Sequence, residues 1–391
     1  MPRVLHVIEA LFRGGGAEQA LANLLPELKR VGVETEVVAL WPRHDVAEEL
    51  EAAGIPVHRL ELSYAKRWSP RVQLELANVV AGSRPDIVHA HLFFSGIHVA
   101  ALPRAFPHRR VITFHNVDYE VEPSITLAHH ARKYLHGLLL RNRMDAYVAV
   151  SATVARHFER HLGLRNVDVI PNALPIHRIG EIPEEIRMRT RAELGIGDGQ
   201  NLLLMPGRFV KQKGHKVLLA ALELLRTRGL RPRLVAVGSG LLKDEVARAV
   251  RDAGLEDQVR LHDVVPNERL LEMMGSADLV VVPSLQEGFG IVAAETMALG
   301  APLLATSIGP IAEFVTHRAT GYLVPPGEPS ALADAISTLL GDAELCRRMG
   351  AAARKHVVEN FSATSVAARW ARKYEAILTS EANPRSSQAP S

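Results

Sequence analysis

The chain has 391 residues, 47% hydrophobic and 23% charged, with a formal net charge of +3: room for two domains with a core each, and the composition of a globular rather than a disordered protein. A single cysteine, Cys346, excludes an internal disulfide or a cysteine-based metal site and points to a reducing, cytoplasmic compartment. No apolar run approaches the ~20 residues of a spanning helix, and Met1-Pro-Arg-Val-Leu-His-Val-Ile8 reads as a first strand, not as a signal peptide.

Short apolar runs then alternate with helical patterns, which predicts parallel sheets with crossover helices. Strand Arg3 to Ile8 leads through Gly14-Gly-Gly16 to a helix ending at Arg30. Strands follow at Glu34 to Leu40, Val57 to Leu60, Ile87 to His91 and Val111 to His115. A basic amphipathic stretch, Leu127 to Arg143, carries His129, His130, Arg132, Lys133, His136, Arg141 and Arg143. Strand Asp145 to Ser151 is capped by Ser151 onto a helix, and Val167 to Asn172 closes the first unit. Residues 181–200, charged and aperiodic, read as a linker with a short helix between a domain over 1–180 and a second over 201–360. The tail 379–391, rich in Ser and Pro, reads as disordered.

The second half centres on Glu287-Gly-Phe-Gly-Ile-Val-Ala-Ala-Glu295, placed between the apolar run Leu279 to Pro283 and a helix closed by Gly300. Glu287 falls in the loop and Glu295 about one and a half turns into the helix, so both carboxylates can face one ligand. Gly288, Phe289 and Gly290 offer backbone N–H groups where a helix N-terminus favours phosphate or a developing oxyanion. Carboxylates beside such amides suit the vicinal hydroxyls of a sugar attached to a phosphate, although a lone E-x7-E is more often an ordinary turn with solvated acids. A second constellation, Gly207-Arg208-Phe-Val-Lys-Gln-Lys213-Gly214, follows a strand and can clamp a diphosphate. Gly238-Ser-Gly240 lines the same edge or is a plain tight turn, and the loop Asp263-Val-Val-Pro266, with Val265, can hold a nucleobase through its backbone.

Together these motifs resemble a GT-B fold retaining glycosyltransferase of glycosyltransferase family 4 (glycosyl transferases group 1). The resemblance rests on Gly14-Gly-Gly-Ala-Glu18, Pro85-Asp-Ile-Val-His-Ala-His91, Thr113-Phe-His115, Val150-Ser151, Val169-Ile-Pro-Asn172, Gly207-Arg208 with Lys213, Gly238-Ser-Gly240 and Glu287-Gly-Phe-Gly with Glu295, in the family's order along nearly the whole chain. It implies two Rossmann-like domains facing each other across a cleft, with the helix over 361–378 crossing back to the N-terminal domain. By the same resemblance Glu295 would bind the ribose, Glu287 the transferred sugar, and Arg208 and Lys213 the diphosphate. Gly288, Phe289, Gly290 and Ile291 would contact sugar or phosphate, Gly15 and Gly16 would approach the phosphates, and His115 would stand at the reaction centre. One departure is that Pro171-Asn-Ala-Leu-Pro175 lacks the glycine and acid usual after that Pro-Asn.

No Asp-x-Asp occurs, so the expectation is a metal-independent transferase without a cofactor, its co-substrate a UDP- or GDP-sugar and its charges acting where the diphosphate departs. The basic stretch 127–143 would suit peripheral contact with an anionic membrane and a lipid-linked acceptor, although such a stretch is more often a core-facing helix with a basic outside; a glycan or small molecule is the other acceptor option. A sugar-nucleotide epimerase and a catalytically silent sugar-nucleotide-binding protein are the competing readings. Nucleic-acid binding has no support in so mild a charge balance.

Overall fold

The structure is a computed structural model that describes residues 1–12, 15–62, 69–117 and 127–380, of which 127–133 by backbone only. Gly14, the side chains of His129, His130, Arg132 and Lys133, and the tail beyond residue 380 lie outside the described residues. The chain forms two units, residues 1–174 together with the segment from Phe361 onward, and Pro175–Asn360.

In the first unit the elements run β1 (Arg3–Ile8), α1 (Gly16–Arg30), β2 (Glu34–Ala39), α2 (Ala47–Ala52), β3 (Val57–Arg59), α3 (Pro70–Ser83), β4 (Ile87–His91), α4 (Phe93–Ala100), β5 (Arg109–Phe114), α5 (Leu127–Arg143), β6 (Ala146–Ala149), α6 (Ala152–Leu162) and β7 (Val167–Val169). The second holds α7 (Glu184–Glu193), β8 (Leu202–Pro206), α8 (His215–Thr227), β9 (Arg233–Val237), α9 (Lys243–Asp252), β10 (Val259–His262), α10 (Asn267–Ser276), β11 (Leu279–Val282), α11 (Ile291–Leu299), β12 (Leu303–Thr306), α12 (Gly309–Ala312), β13 (Tyr322–Val324), α13 (Pro329–Gly341) and α14 (Ala343–Phe361). A last helix, α15 (Ala363–Thr379), returns to the first unit.

Both sheets are parallel, ordered β3-β2-β1-β4-β5-β6-β7 and β10-β9-β8-β11-β12-β13. Their central strands are buried along nearly their whole length because helices cover both faces. In the first unit α1 and α15 pack side by side, and Val366, Trp370, Tyr374 and Ile377 join Val4, Ile8, Leu21 and Leu25 in one core. The break between α14 and α15 falls at Ser362, whose hydroxyl accepts from Ser365 N at 3.2 Å. There Leu174 N donates to Phe361 O and Ala363 N to Leu174 O, both at 2.8 Å.

Two stretches differ from what the sequence suggests. The short helix expected in the linker is present at residues 184–193, but it packs on α10 rather than standing free, because its charges find partners far along the chain. Arg191 pairs with Asp278 at 2.9 Å, and Glu193 pairs with Arg269. On α5 Arg141 and Arg143 turn inward. Arg141 donates to Leu162 O at 2.6 Å, and Arg143 to Ala100 O at 2.9 Å and Leu102 O at 2.5 Å. They satisfy carbonyls at the C-terminal ends of α6 and α4, where cations are favoured. Among the described residues the same helix exposes the apolar Tyr134, Leu135 and Leu138.

Candidate active site

In the second unit the strand order reverses between β8 and β11, and in open parallel sheets such a reversal opens a crevice at the carboxyl ends of the strands. The loops after these two strands carry Arg208, Lys213 and Glu287. They meet: Leu285 N donates to Gln212 O at 2.7 Å, while Lys213 Nζ lies 2.5 Å and Ser284 Oγ 2.8 Å from Glu287 Oε1. Gly214 makes the approach feasible. At φ +72° its Cβ would lie 2.0 Å from Pro283 O. Gly238, after β9, sits against the same loop, where a Cβ would fall 2.1 Å from Gly207 O.

Helix α11 starts behind Gly290, at φ 97°, with no side chain capping its N-terminus. Gly288, Phe289, Gly290 and Ile291 thus form the turn into that helix, held by Phe289, which is buried against the Phe314 ring at 5.3 Å. Further along the helix Glu295 is 5% exposed. Its carboxylate has no hydrogen-bond or ion-pair partner among the described residues, and burial pushes its pKa up to about 7. Arg208, by contrast, is exposed, its guanidinium likewise without a partner among the described residues. Val265 is half-buried beyond β10, beside Asp263, which pairs with Lys243. One sheet edge of this unit therefore carries the loops of Arg208, Lys213 and Glu287 and the glycine turn, and Glu295 is buried in the helix that starts there.

Gly15, Gly16 and His115 belong to the first unit. Gly15 precedes α1, and the Glu18 carboxylate folds back to 1.9 Å from where its Cβ would be, so a larger residue displaces that acid. His115 follows β5. Parallel register pairs His6 with His89 and His91 with Thr113, so by the two-residue alternation of strands His6, His89, His91, Thr113 and His115 share one sheet face. The rings connect: His6 Nδ1 to His91 Nε2 at 3.0 Å and His91 Nδ1 to His115 Nε2 at 3.2 Å. His89 instead bonds Tyr374 Oη at 2.7 Å and Thr113 Oγ1 at 2.8 Å. Burial depresses all four, His6 to about 3, His115 to about 4, and His89 and His91 well below the ordinary range, so they are neutral at pH 7. Nitrogens of His6, His89 and His91 lie within 4.8 Å of one another, close enough for a shared metal ion, but each ring is engaged in the hydrogen bonds above.

The turn after β4 is strained. Leu92 adopts φ 71° and ψ 171°, a region otherwise left to glycine, at a cost of about 1–3 kcal/mol. Sequence reasoning singled out neither His6, His91 nor Asn172 as site residues, nor Ser284. The spacing His-x-His in β4 does signal two rings on one face, but the neighbour relation of β1 and β4 comes only with the sheet order.

Two parallel α/β units of this kind recur in solved glycosyltransferases. Anabaena Alr3699/HepE in complex with UDP-glucose superposes with a TM-score of 0.83 at 20% identity, over 96% of this chain and 100% of that one. Sucrose-phosphate synthase from Thermosynechococcus elongatus does so with 0.79 at 22%, over 96% and 99%. The architecture is that of a GT-B glycosyltransferase. Residues 14–178 match the family described as Glycosyltransferase Family 4, and residues 187–356 match Glycosyl transferases group 1. A D-inositol 3-phosphate glycosyltransferase of Streptomyces scabiei is 31% identical over 398 residues, 93% of this chain and 87% of that protein. One from Nocardia farcinica is 37% identical over 247 residues, 60% of this chain and 52% of that protein. The chain belongs to glycosyltransferase family 4.

Proposed function

We propose that the protein is a retaining glycosyltransferase that moves a hexosyl group from a nucleotide diphosphate sugar to a hydroxyl of a glycan, lipid-linked or small-molecule acceptor without a metal ion. The observation that carries this reading is Glu295: a carboxylate buried in the helix that starts at the switch-point edge, without a protein partner among the described residues, is stabilised once vicinal ribose hydroxyls donate to it. Arg208 and Lys213 take the diphosphate. Its arrival draws Lys213 from Glu287, and the freed carboxylate turns to the sugar hydroxyls. Both cations then act where negative charge grows as the diphosphate departs, a contribution of roughly a hundredfold or more in rate from one such donor. The acceptor oxygen attacks from the leaving-group side, and a departing phosphate oxygen takes its proton. The Anabaena neighbour's UDP-glucose and the relatives' D-inositol 3-phosphate make a UDP-sugar and an inositol phosphate the first pair to try. Cytoplasmic cell-envelope assembly is the setting we favour, with exposed Tyr134, Leu135 and Leu138 as the face toward a lipid-linked acceptor.

The test is a thermal-shift screen of uridine, guanosine and adenosine diphosphates and their sugars, with and without EDTA, on wild type and Glu295→Ala. A shift for one nucleotide that survives EDTA and fades in the variant supports the site; a shift that needs added metal, or none at all, overturns it. With a donor in hand, the anomeric configuration of the product, read by proton NMR, decides retention.

A further inference from the structure

The imidazoles of His6, His91 and His115 form a chain with a direction. Each ring is neutral and so carries one N–H and one lone pair. In one polarity His6 Nδ1–H donates to His91 Nε2 and His91 Nδ1–H donates to His115 Nε2, which leaves the His115 proton on Nδ1. In the other polarity every bond is reversed, and the terminal N–H is His6 Nε2. The two ends choose between them. His6 is fully buried, and its Nε2 has no partner. His115 Nδ1 makes no hydrogen bond of ordinary geometry either, but the Asn172 side chain lies close enough to the ring to hold its pKa up against burial, and this half-buried residue borders a cavity of ~20 Å³ shared with His91, Thr113 and Asn172. An N–H at the His6 end stays unsatisfied, whereas one at the His115 end has the Asn172 side chain and the cavity beside it. One hydrogen bond separates the polarities, a preference on the order of tenfold.

We propose that His6 and His91 are positioning residues that hold His115 in the Nδ1–H tautomer, so that it presents a hydrogen-bond donor rather than an acceptor to a ligand entering the cavity it shares with His91, Thr113 and Asn172. The direction of the chain is a property of the unliganded protein; its use in catalysis rests on the proposed glycosyl transfer. His89 stands beside the chain and outside it, because Thr113 and Tyr374 occupy both of its nitrogens.

The test reads side-chain ¹⁵N shifts of ¹⁵N-histidine-labelled full-length protein without ligand, His115 being assigned by its loss in His115→Gln. Wild type is expected to carry the proton on His115 Nδ1. His6→Asn, whose amide nitrogen replaces the Nδ1 donor, is expected to leave that tautomer in place. His6→Leu removes the donor two links away, so His91 can turn its polarity round and His115 is expected to move to Nε2–H. Donor turnover should then fall about tenfold in His6→Leu at unchanged KM and recover in His6→Asn. A wild-type His115 protonated on Nε2, or a tautomer unmoved in folded His6→Leu, overturns the proposal; if His6→Leu does not fold, the wild-type spectrum decides. Tautomers as expected with turnover unchanged in His6→Leu would leave the chain standing and refute its catalytic use, without bearing on the nucleotide-binding screen.

Discussion

Replacing Glu295 by Gln exchanges stability against binding in a way that can be worked from the structure. Burial raises the carboxyl from its ordinary 4.5 to about 7, so ionising it inside the fold costs about 3 kcal/mol at 1.36 kcal/mol per pH unit. Between pH 4.5 and 7 the folded unit keeps a proton that the unfolded chain has released. Stability is therefore undiminished below pH 4.5, falls as pH rises through this window, and bears the whole penalty above pH 7. The amide never ionises. At pH 5 the variant should melt with the wild type, while at pH 8 it should be more stable by up to about 3 kcal/mol, roughly 6–12 °C for a unit of this size. The same exchange removes a charged acceptor of two ribose hydroxyls, and at about 1.5–3 kcal/mol for each charged hydrogen bond, nucleotide affinity should drop roughly a hundredfold or more. Calorimetric scans at pH 5 and 8 read the first effect, and titration calorimetry with the nucleoside diphosphate reads the second. Equal melting at pH 8 would mean that the carboxyl is not held in a dry site; unchanged affinity would mean that the ribose is bound elsewhere.

Lys213→Met leaves Glu287 held by Ser284 alone and removes a diphosphate ligand; kcat for donor turnover should fall on the order of a hundredfold with the fold intact by circular dichroism. Gly214→Ala forces a Cβ against Pro283 O at a positive φ, and a destabilisation of more than about 2 kcal/mol, measured by denaturant titration, is expected together with weaker nucleotide binding. In acid the first unit should fail early. His6, His89, His91 and His115 are all depressed below 6.5, so their stabilisation is complete above that pH and drains away as pH falls toward about 4, at up to about 1.4 kcal/mol per pH unit for each ring. Near-ultraviolet circular dichroism between pH 7 and 4 would expose a flat profile, which would contradict their burial as neutral rings.

Alternating strands and helices, and the caps between them, were legible because they are local: Ser151, read as an N-cap, accepts from Val154 N at 3.2 Å. The glycines and charges of the second unit were legible as motifs, since each loop follows its own strand. What could not be read was which loop touches which. Lys213 and Glu287 stand 74 residues apart and meet because β8 and β11 are neighbours. The buried histidines escaped for the same reason, their strands being adjacent in space and far apart in sequence. Arg141 and Arg143 misled in the opposite direction, because a cation that caps a helix is indistinguishable by composition from one facing water.

The return of α15 has a consequence for biosynthesis. Its Trp370, Tyr374 and Ile377 are part of the core laid down by β1 and α1, so the first unit, whose last strand ends at Val169, exposes an unfinished apolar face until about 200 further residues have left the ribosome. The second unit, continuous from Pro175 to Asn360, has no such wait. At ~5–20 residues per second the interval lasts tens of seconds, long against the folding of either unit. The emerging chain thus reverses the usual N-terminal-first order: the unit carrying Arg208, Lys213 and Glu295 matures first, and the histidine chain is sealed only when the last helix docks.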